Sequence, residues 1–136
     1  MSDKVLVDSN VLIDILQEDD QWFHWSSMRL APLIDARRLV LDPIVYAEVS
    51  IAYASIEELE GAIAEFAFER QALPWEAAFL AGKVFERYRR RGGVKRSPLP
   101  DFYIGAHAAL AGMKLLTRDP RRYREYFPGL RLIAPR

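Results

Sequence analysis

A chain of 136 residues, 51% apolar, with no cysteine and only two histidines, reads as a single domain over residues 1–136 with enough apolar material for a core. The missing cysteines exclude disulfides, thiolate nucleophiles and cysteine-rich zinc sites. His24 and His107 are too few for most imidazole-built metal sites, so a bound metal must be held by oxygen. The formal net charge is zero, yet residues 1–70 carry 5 Lys/Arg against 14 Asp/Glu (net −9) and residues 71–136 carry 14 against 5 (net +9). Such asymmetry points to a charged partner unless folding interleaves the halves. No apolar run is long enough to span a membrane, and no basic segment leads into an apolar stretch at the start. The expectation is a cytoplasmic protein with no membrane partner.

Lys4–Val7 predicts a short buried strand ending at Asp8. Ser9 and Asn10 suit the start of a helix with Val11, Leu12, Ile15 and Leu16 on its apolar face. A second helix is expected from about Gln21 to Arg37, then a strand at Leu39–Leu41. Pro43 suits the first turn of a third helix, about Ile44 to Ala54, which is apolar on nearly every side and so expected to be buried. Ser55-Ile-Glu-Glu58 has the form of a capping box and opens a helix with Leu59, Ile63 and Phe66 on one face. Arg70–Leu73 is assigned as a third strand. Trp75 to about Arg91 is an amphipathic helix stopped by Gly92-Gly93, and Val94–Pro100 is a loop. Asp101–Gly112 is a helix of small and apolar residues, Met113–Leu116 a strand, Pro120 the start of a short helix, and Leu130–Ile133 a closing strand. Strands alternating with helices imply a parallel sheet with right-handed crossovers, whose ligand site lies beyond the C-terminal strand ends where the strand order reverses.

That rule singles out four acids. Asp8 and Asp119 follow the first strand and the Met113–Leu116 strand, and Asp101 opens a helix. Glu48 lies inside the oily stretch Ile44-Val-Tyr-Ala-Glu-Val-Ser-Ile-Ala52, where burying a carboxylate is costly without compensation. Each has an ordinary explanation alone: Asp8 and Asp101 as helix caps, Asp119 as a turn residue, Glu48 as a snorkelling or ion-paired side chain. Four such accidents at one sheet edge are a poor account. Two unit charges a few Å apart repel by about 4 kcal/mol at an effective dielectric near 20, so gathered carboxylates call for protons or cations. Mg²⁺ or Mn²⁺ suits an all-oxygen set.

These residues also carry a resemblance. Val7-Asp-Ser-Asn-Val-Leu-Ile-Asp14 resembles the opening motif of PIN domains, and Tyr46-Ala-Glu48 the family's second acidic position. Pro100-Asp-Phe-Tyr-Ile-Gly-Ala-His-Ala108 and Leu115-Leu-Thr-Arg-Asp119 resemble its third and fourth. The closing Tyr123-Arg-Glu-Tyr-Phe-Pro-Gly-Leu130 and Leu132-Ile-Ala-Pro135 are similar to the end of VapC toxins, the ribonuclease half of toxin–antitoxin pairs. The resemblance implies a three-layer α/β/α sandwich around a parallel sheet of about five strands. It implies Mg²⁺ or Mn²⁺ held by Asp8, Glu48, Asp101 and Asp119 and hydrolysis of RNA phosphodiesters by metal-activated water. Ser9, Asn10 and Thr117 match supporting positions. A cognate antitoxin and a homodimer are the implied protein partners.

Arg87, Arg89, Arg90, Arg91, Lys95 and Arg96 precede Asp101, and Arg89, Arg90, Arg91, Lys95 and Arg96 are read as an RNA-tracking surface rather than a solvated helix end. Arg118, Arg121, Arg122 and Arg124 extend that patch or are plain surface charge. Trp22-Phe-His-Trp25 is read as core packing ahead of a partner groove. His107, six residues past Asp101, is off the face needed for a ligand. Asp14 either holds a basic side chain near the site or faces solvent. A haloacid-dehalogenase-like phosphohydrolase also begins with a strand ending in Asp, but that chemistry wants a second Asp where Asn10 stands. A non-catalytic α/β binding module gives no reason for Glu48.

Overall fold

The computed structural model describes residues 2–136. In chain order the elements are β1 (Val5–Val7), α1 (Ser9–Leu16), α2 (Phe23–Asp35), β2 (Leu39–Leu41), α3 (Pro43–Ser50), α4 (Ile56–Ile63), a 3₁₀ turn (Ala64–Phe66), β3 (Glu69–Arg70), α5 (Trp75–Arg90), α6 (Pro100–Ala111), β4 (Lys114–Leu116), α7 (Arg121–Tyr126) and β5 (Leu132–Ile133). All strand pairings among them are parallel, in the order β3-β2-β1-β4-β5. The chain moves from β1 towards the β3 edge, then crosses back to β4 and β5. With right-handed crossovers, that reversal puts the helices of the two halves on opposite faces of the sheet. Accordingly α1 packs on α2 and α3, and α6 on α5 and α7, while α3 and α6 meet each other where His107 bonds Asp42. The result is the α/β/α sandwich expected from the sequence, and its switch point is the gap between β1 and β4.

Local chemistry explains the element ends. Asp8, Asp42 and Ser55 cap α1, α3 and α4 by accepting from the backbone N–H of Ser9, Val45 and Glu58. Gly92, at φ +90°, ends α5 in the left-handed region that glycine tolerates. β1, β2 and the Leu115–Leu116 end of β4 are fully buried, as strands covered on both faces must be.

Three expectations need correction. The third strand is Glu69–Arg70 rather than Arg70–Leu73, because pairing stops once the chain leaves Leu41 of the neighbouring strand. The third helix ends at Ser50 and is not buried all round: Val45 and Val49 are fully buried, Ile44 and Tyr46 are half-buried against the core, and Ile51 just beyond it is 87% exposed. Sequence apolarity reported composition there, not packing. Trp22–Trp25 is core only in part: Trp25 packs half-buried against the core. The inward face of α2 is Ser26, Leu30 and Leu33, so Phe23 and His24 are exposed and the two tryptophans are half-buried, edge to face at 6.0 Å.

Gly105 sits where α6 crosses Phe127, and a Cβ there would lie 2.5 Å from that buried ring. Gly105→Ala is therefore expected to destabilise by about 1–2 kcal/mol despite alanine's better helix propensity, because the ring has little room to yield. A lower urea midpoint at unchanged slope would show it; an unchanged or higher midpoint would refute the packing argument.

Candidate active site at the sheet's switch point

Asp8 leaves β1 and Thr117 leaves β4, so the two strands flanking the switch point deliver them side by side. Thr117 Oγ1 donates to Asp8 Oδ2 at 2.8 Å, and Asn10 Nδ2 lies 3.4 Å from the same oxygen and 3.3 Å from Thr117 Oγ1. Asp8 Oδ1 accepts from the Ser9 amide at 2.8 Å. Asp8 is thus both the cap of α1 and the centre of a polar cluster; the two readings are not exclusive. Asn10 Oδ1 in turn accepts from the Arg118 amide at 3.2 Å, tying the loop after β4 to α1.

Glu48 reaches the cluster from α3. Its Oε1 accepts from Ser9 Oγ at 3.0 Å, which compensates a carboxylate half-buried in an apolar helix. Asp101 is the second residue of α6, not its cap, and its Oδ2 faces Arg122 Nη1 at 3.3 Å. Asp119 stands at the rim: its amide donates to Thr117 Oγ1 at 3.2 Å and its carboxylate faces Arg121 Nε at 3.3 Å. A cleft of about 350 Å³ opens between Asp101, Asp119, Arg121, Arg122 and Glu125.

The electrostatics follow from this crowding. Burial first, then the charge of Asp101 and more weakly that of Glu48, pushes the Asp8 carboxyl up to about 7, against hydrogen bonds from Thr117 and Tyr123 that favour its ionised form. Burial also raises Glu48, with Asp101 and Asp42 adding, and raises Asp101, with Asp119 adding and Arg122 opposing. Asp8, Glu48 and Asp101 therefore feel one another, and Asp119 joins through Asp101. Among the described residues, no three acidic or histidine side chains stand close enough to grip one ion as they are arranged. Each carboxylate is instead turned to a donor of the chain itself. The donor set nonetheless fits a hard divalent cation: every group is an oxygen, and the charges of Asp101 and Glu48 add to burial in disfavouring the ionised form of Asp8.

The structure adds a residue that the sequence did not single out for a role. Tyr123, 1% exposed in α7, donates its hydroxyl to Asp8 Oδ2 at 3.0 Å and also supports Asp101. Burial and the Asp8 charge drive its own pKa well above the ordinary value, so it remains a donor. The only available signal was its place four residues after Asp119. Asp14 resolves in favour of holding a base: it is 2% exposed, accepts from Ser26 Oγ at 3.0 Å, and pairs with Arg118 Nε at 2.8 Å. The Arg118 guanidinium lies over the Trp22 ring, 5.6 Å from its centroid. His107 lies outside the cluster, bonded to Asp42 and Gln71.

The basic segment before Asp101 is exposed throughout Arg89–Arg91 and Lys95–Arg96. Arg89 Nη1 donates to the Lys95 carbonyl at 2.7 Å, and Arg90 pairs with Glu86 at 3.2 Å. Arg91 pairs with Glu125 at 3.1 Å, so the segment abuts the wall of the cleft.

Residues 5–127 match the sequence description of the PIN domain. No curated protein sequence is significantly similar to the chain. Solved structures are similar throughout their length. DNA-bound VapBC2 from Rickettsia felis has 16% identity over 97% of this chain and 98% of that one, with a TM-score of 0.72. DNA-bound VapBC from Salmonella typhimurium has 22% identity over 96% and 97%, with a TM-score of 0.69. A toxin–antitoxin complex from Klebsiella pneumoniae has 22% identity over 98% of each chain, with a TM-score of 0.68. At these identities the likeness is one of fold.

Proposed function

The chain belongs to the PIN domain family, whose members are generally nucleases, and we propose that it is a metal-dependent endoribonuclease of the VapC toxin type. What supports this reading, beside the family itself, is that three separate crossings of the sheet bring Asp8, Glu48 and Asp101 to the switch point within one another's fields, where Asp8 is bonded by Thr117 and Tyr123 and Glu48 by Ser9. Family membership leaves no place for the haloacid-dehalogenase reading, and Asn10 serves Asp8 as a hydrogen-bonding support instead.

In this reading Asp8, Glu48, Asp101 and Asp119 hold Mg²⁺ or Mn²⁺. When bound, the ion supplies positive charge to polarise the phosphodiester and stabilise the charge that develops on it. Ser9 fixes Glu48, while Thr117, Asn10 and Tyr123 fix Asp8; Asp101 and Asp119 would turn from Arg122 and Arg121 to take up the ion. Asp101 and Asp119 line the cleft, and whichever of the four carboxylates is not tied up in coordination would accept a proton from the attacking water. Arg89, Arg90, Arg91, Lys95 and Arg96 offer the incoming RNA a cationic track. A cognate antitoxin and a second copy of the chain are proposed partners. Exposed Ile51 and Ile56 around the α3–α4 turn, and Trp75 and Phe79 on α5, supply apolar surface for them.

The test is cleavage of transfer, ribosomal and messenger RNA in Mn²⁺ with the ends sequenced, beside Glu48→Gln. Discrete ends that need the metal, with the variant slower by about 10²-fold or more, are expected from the loss of one anionic oxygen at the reacting centre. A folded protein that cuts none of the three RNAs in Mn²⁺ would remove the proposal.

A further inference from the structure

Three consecutive residues at the start of α7 each reach a different carboxylate. Arg121 Nε is 3.3 Å from Asp119, Arg122 Nη1 is 3.3 Å from Asp101, and Tyr123 Oη is 3.0 Å from Asp8. The tyrosine contact is buried and short. The arginine contacts are long and single, and the two side chains are 88% and 44% exposed. Strong arginine–carboxylate pairs are shorter and two-pronged, and exposed single contacts contribute little. Arg121 and Arg122 are weakly held where they are.

The cleft between them has walls of both signs: Asp101, Asp119 and Glu125 against Arg121 and Arg122. A cation alone satisfies only the acids. A phosphate alone meets the acids and is repelled. A cation on the acids together with a phosphodiester on the arginines satisfies both walls. Arg122 is the better placed of the two, since its partner Asp101 couples directly to Asp8 and its neighbour Tyr123 is anchored on Asp8. Glu125, one turn further along α7, is held by Arg91, so a strand leaving the cleft next meets the basic segment.

We propose that this cleft seats the reacting phosphodiester, and that Arg122 is its phosphate-binding residue, standing on Asp101 as an internal counter-ion until a divalent cation displaces it. The proposal rests on the nuclease reading but makes a separate demand: Arg122 and the cation compete for Asp101. Its guanidinium has five donors and spends one on Asp101, so the fork remains available for a non-bridging phosphate oxygen.

Arg122→Gln and Arg122→Lys test this, with circular dichroism to verify folding. Mn²⁺ alone is titrated into the metal-free protein and followed by calorimetry. Arg122→Gln is expected to bind Mn²⁺ about three- to tenfold more tightly, the range for losing one exposed charge contact. A short mixed-sequence RNA in Ca²⁺, read by fluorescence anisotropy, is expected to bind Arg122→Gln about tenfold more weakly, as for one lost charge-assisted bond. Arg122→Lys should fall between, keeping the charge and losing the fork. Unchanged or weaker Mn²⁺ binding overturns the competition, and tighter Mn²⁺ binding with unchanged RNA affinity overturns the phosphate role. If the parent protein binds Mn²⁺ and cuts no RNA, the nuclease reading fails while the Mn²⁺ titration still decides whether Arg122 and the cation share Asp101.

Discussion

Asp8→Asn is expected to abolish RNA cleavage and to raise the melting temperature of the metal-free protein at pH 8. Both effects come from one crowded carboxylate. Asp8 is 3% exposed and lies within the fields of Asp101 and Glu48, which with burial lift its carboxyl from 3.8 to about 7. In the unfolded chain it ionises near its ordinary value. Below that value both states are protonated and the folded state has no penalty. Between about 4 and 7 the folded protein keeps a proton that the unfolded chain has lost, so stability falls as pH rises; above about 7 the full penalty applies. Three pKa units correspond to roughly 4 kcal/mol. Asparagine cannot ionise and is spared that penalty, but its NH2 group must face either the Ser9 N–H that now donates to Oδ1 or the Thr117, Tyr123 and Asn10 donors that now serve Oδ2. A net gain of about 2 kcal/mol, or about 5–8 °C, is the expected balance at this chain length. The gain should vanish at pH 4, and Mn²⁺ at pH 8 should stabilise the parent more than the variant. On the proposed reading, loss of cleavage by about 10³-fold or more follows from removing one of the four carboxylates that would hold the cation. Thermal melts from pH 4 to 8 decide the matter. A parent protein whose stability does not decline over that range would mean that Asp8 does not sit under this electrostatic load.

What could be read from sequence was whatever a single residue's type and its place at a strand end could announce. Asp8 and Asp119 are acids directly beyond short apolar strands, and the parallel topology gave both the same edge. Glu48 announced itself by being out of place in an oily helix. The residues that support them through contacts distant in sequence were less visible. Tyr123 meets Asp8 across 115 positions, and a tyrosine on a six-residue helix has no pattern to mark it. The same holds for Arg122 on Asp101: an arginine in a basic run looks alike whether it faces water or a carboxylate. The misjudged burial of α3 has a related cause. Period-3.6 arguments need polar residues to mark an outer face, and Ile44–Ala52 has few, so Ile51 is exposed with nothing in the sequence to reveal it. Folded, the two oppositely charged halves are joined at the site by Arg118–Asp14, whereas Arg122–Asp101 and Arg121–Asp119 both lie within the basic half, so these pairs leave most of the asymmetry in place.

His107 carries the second large effect, and it concerns the scaffold rather than the chemistry. The imidazole is 1% exposed; Nδ1 lies 2.9 Å from Asp42 Oδ2 and Nε2 lies 3.1 Å from Gln71 Oε1. Asp42 ends β2 and caps α3 through Val45, and Gln71 follows β3. One ring on α6 thus binds the ends of two strands that it never touches in sequence. Removing it leaves a side-chain-sized void and one oxygen of a buried carboxylate without its partner. His107→Ala is therefore expected to cost about 3–5 kcal/mol, the sum of a buried cavity and of hydrogen bonds lost to Asp42 and Gln71. Adding Asp42→Asn to that variant should recover part of the loss, because asparagine still caps a helix and leaves no stranded charge. Additive losses in this double-mutant cycle, measured by urea unfolding, would show that the two side chains are not coupled. The functional consequence runs through α3: its first turn is held by Asp42 and its second presents Glu48 to Ser9. A loosened α3 moves one of the four acids, so cleavage in the surviving folded fraction of His107→Ala should fall although His107 touches none of them.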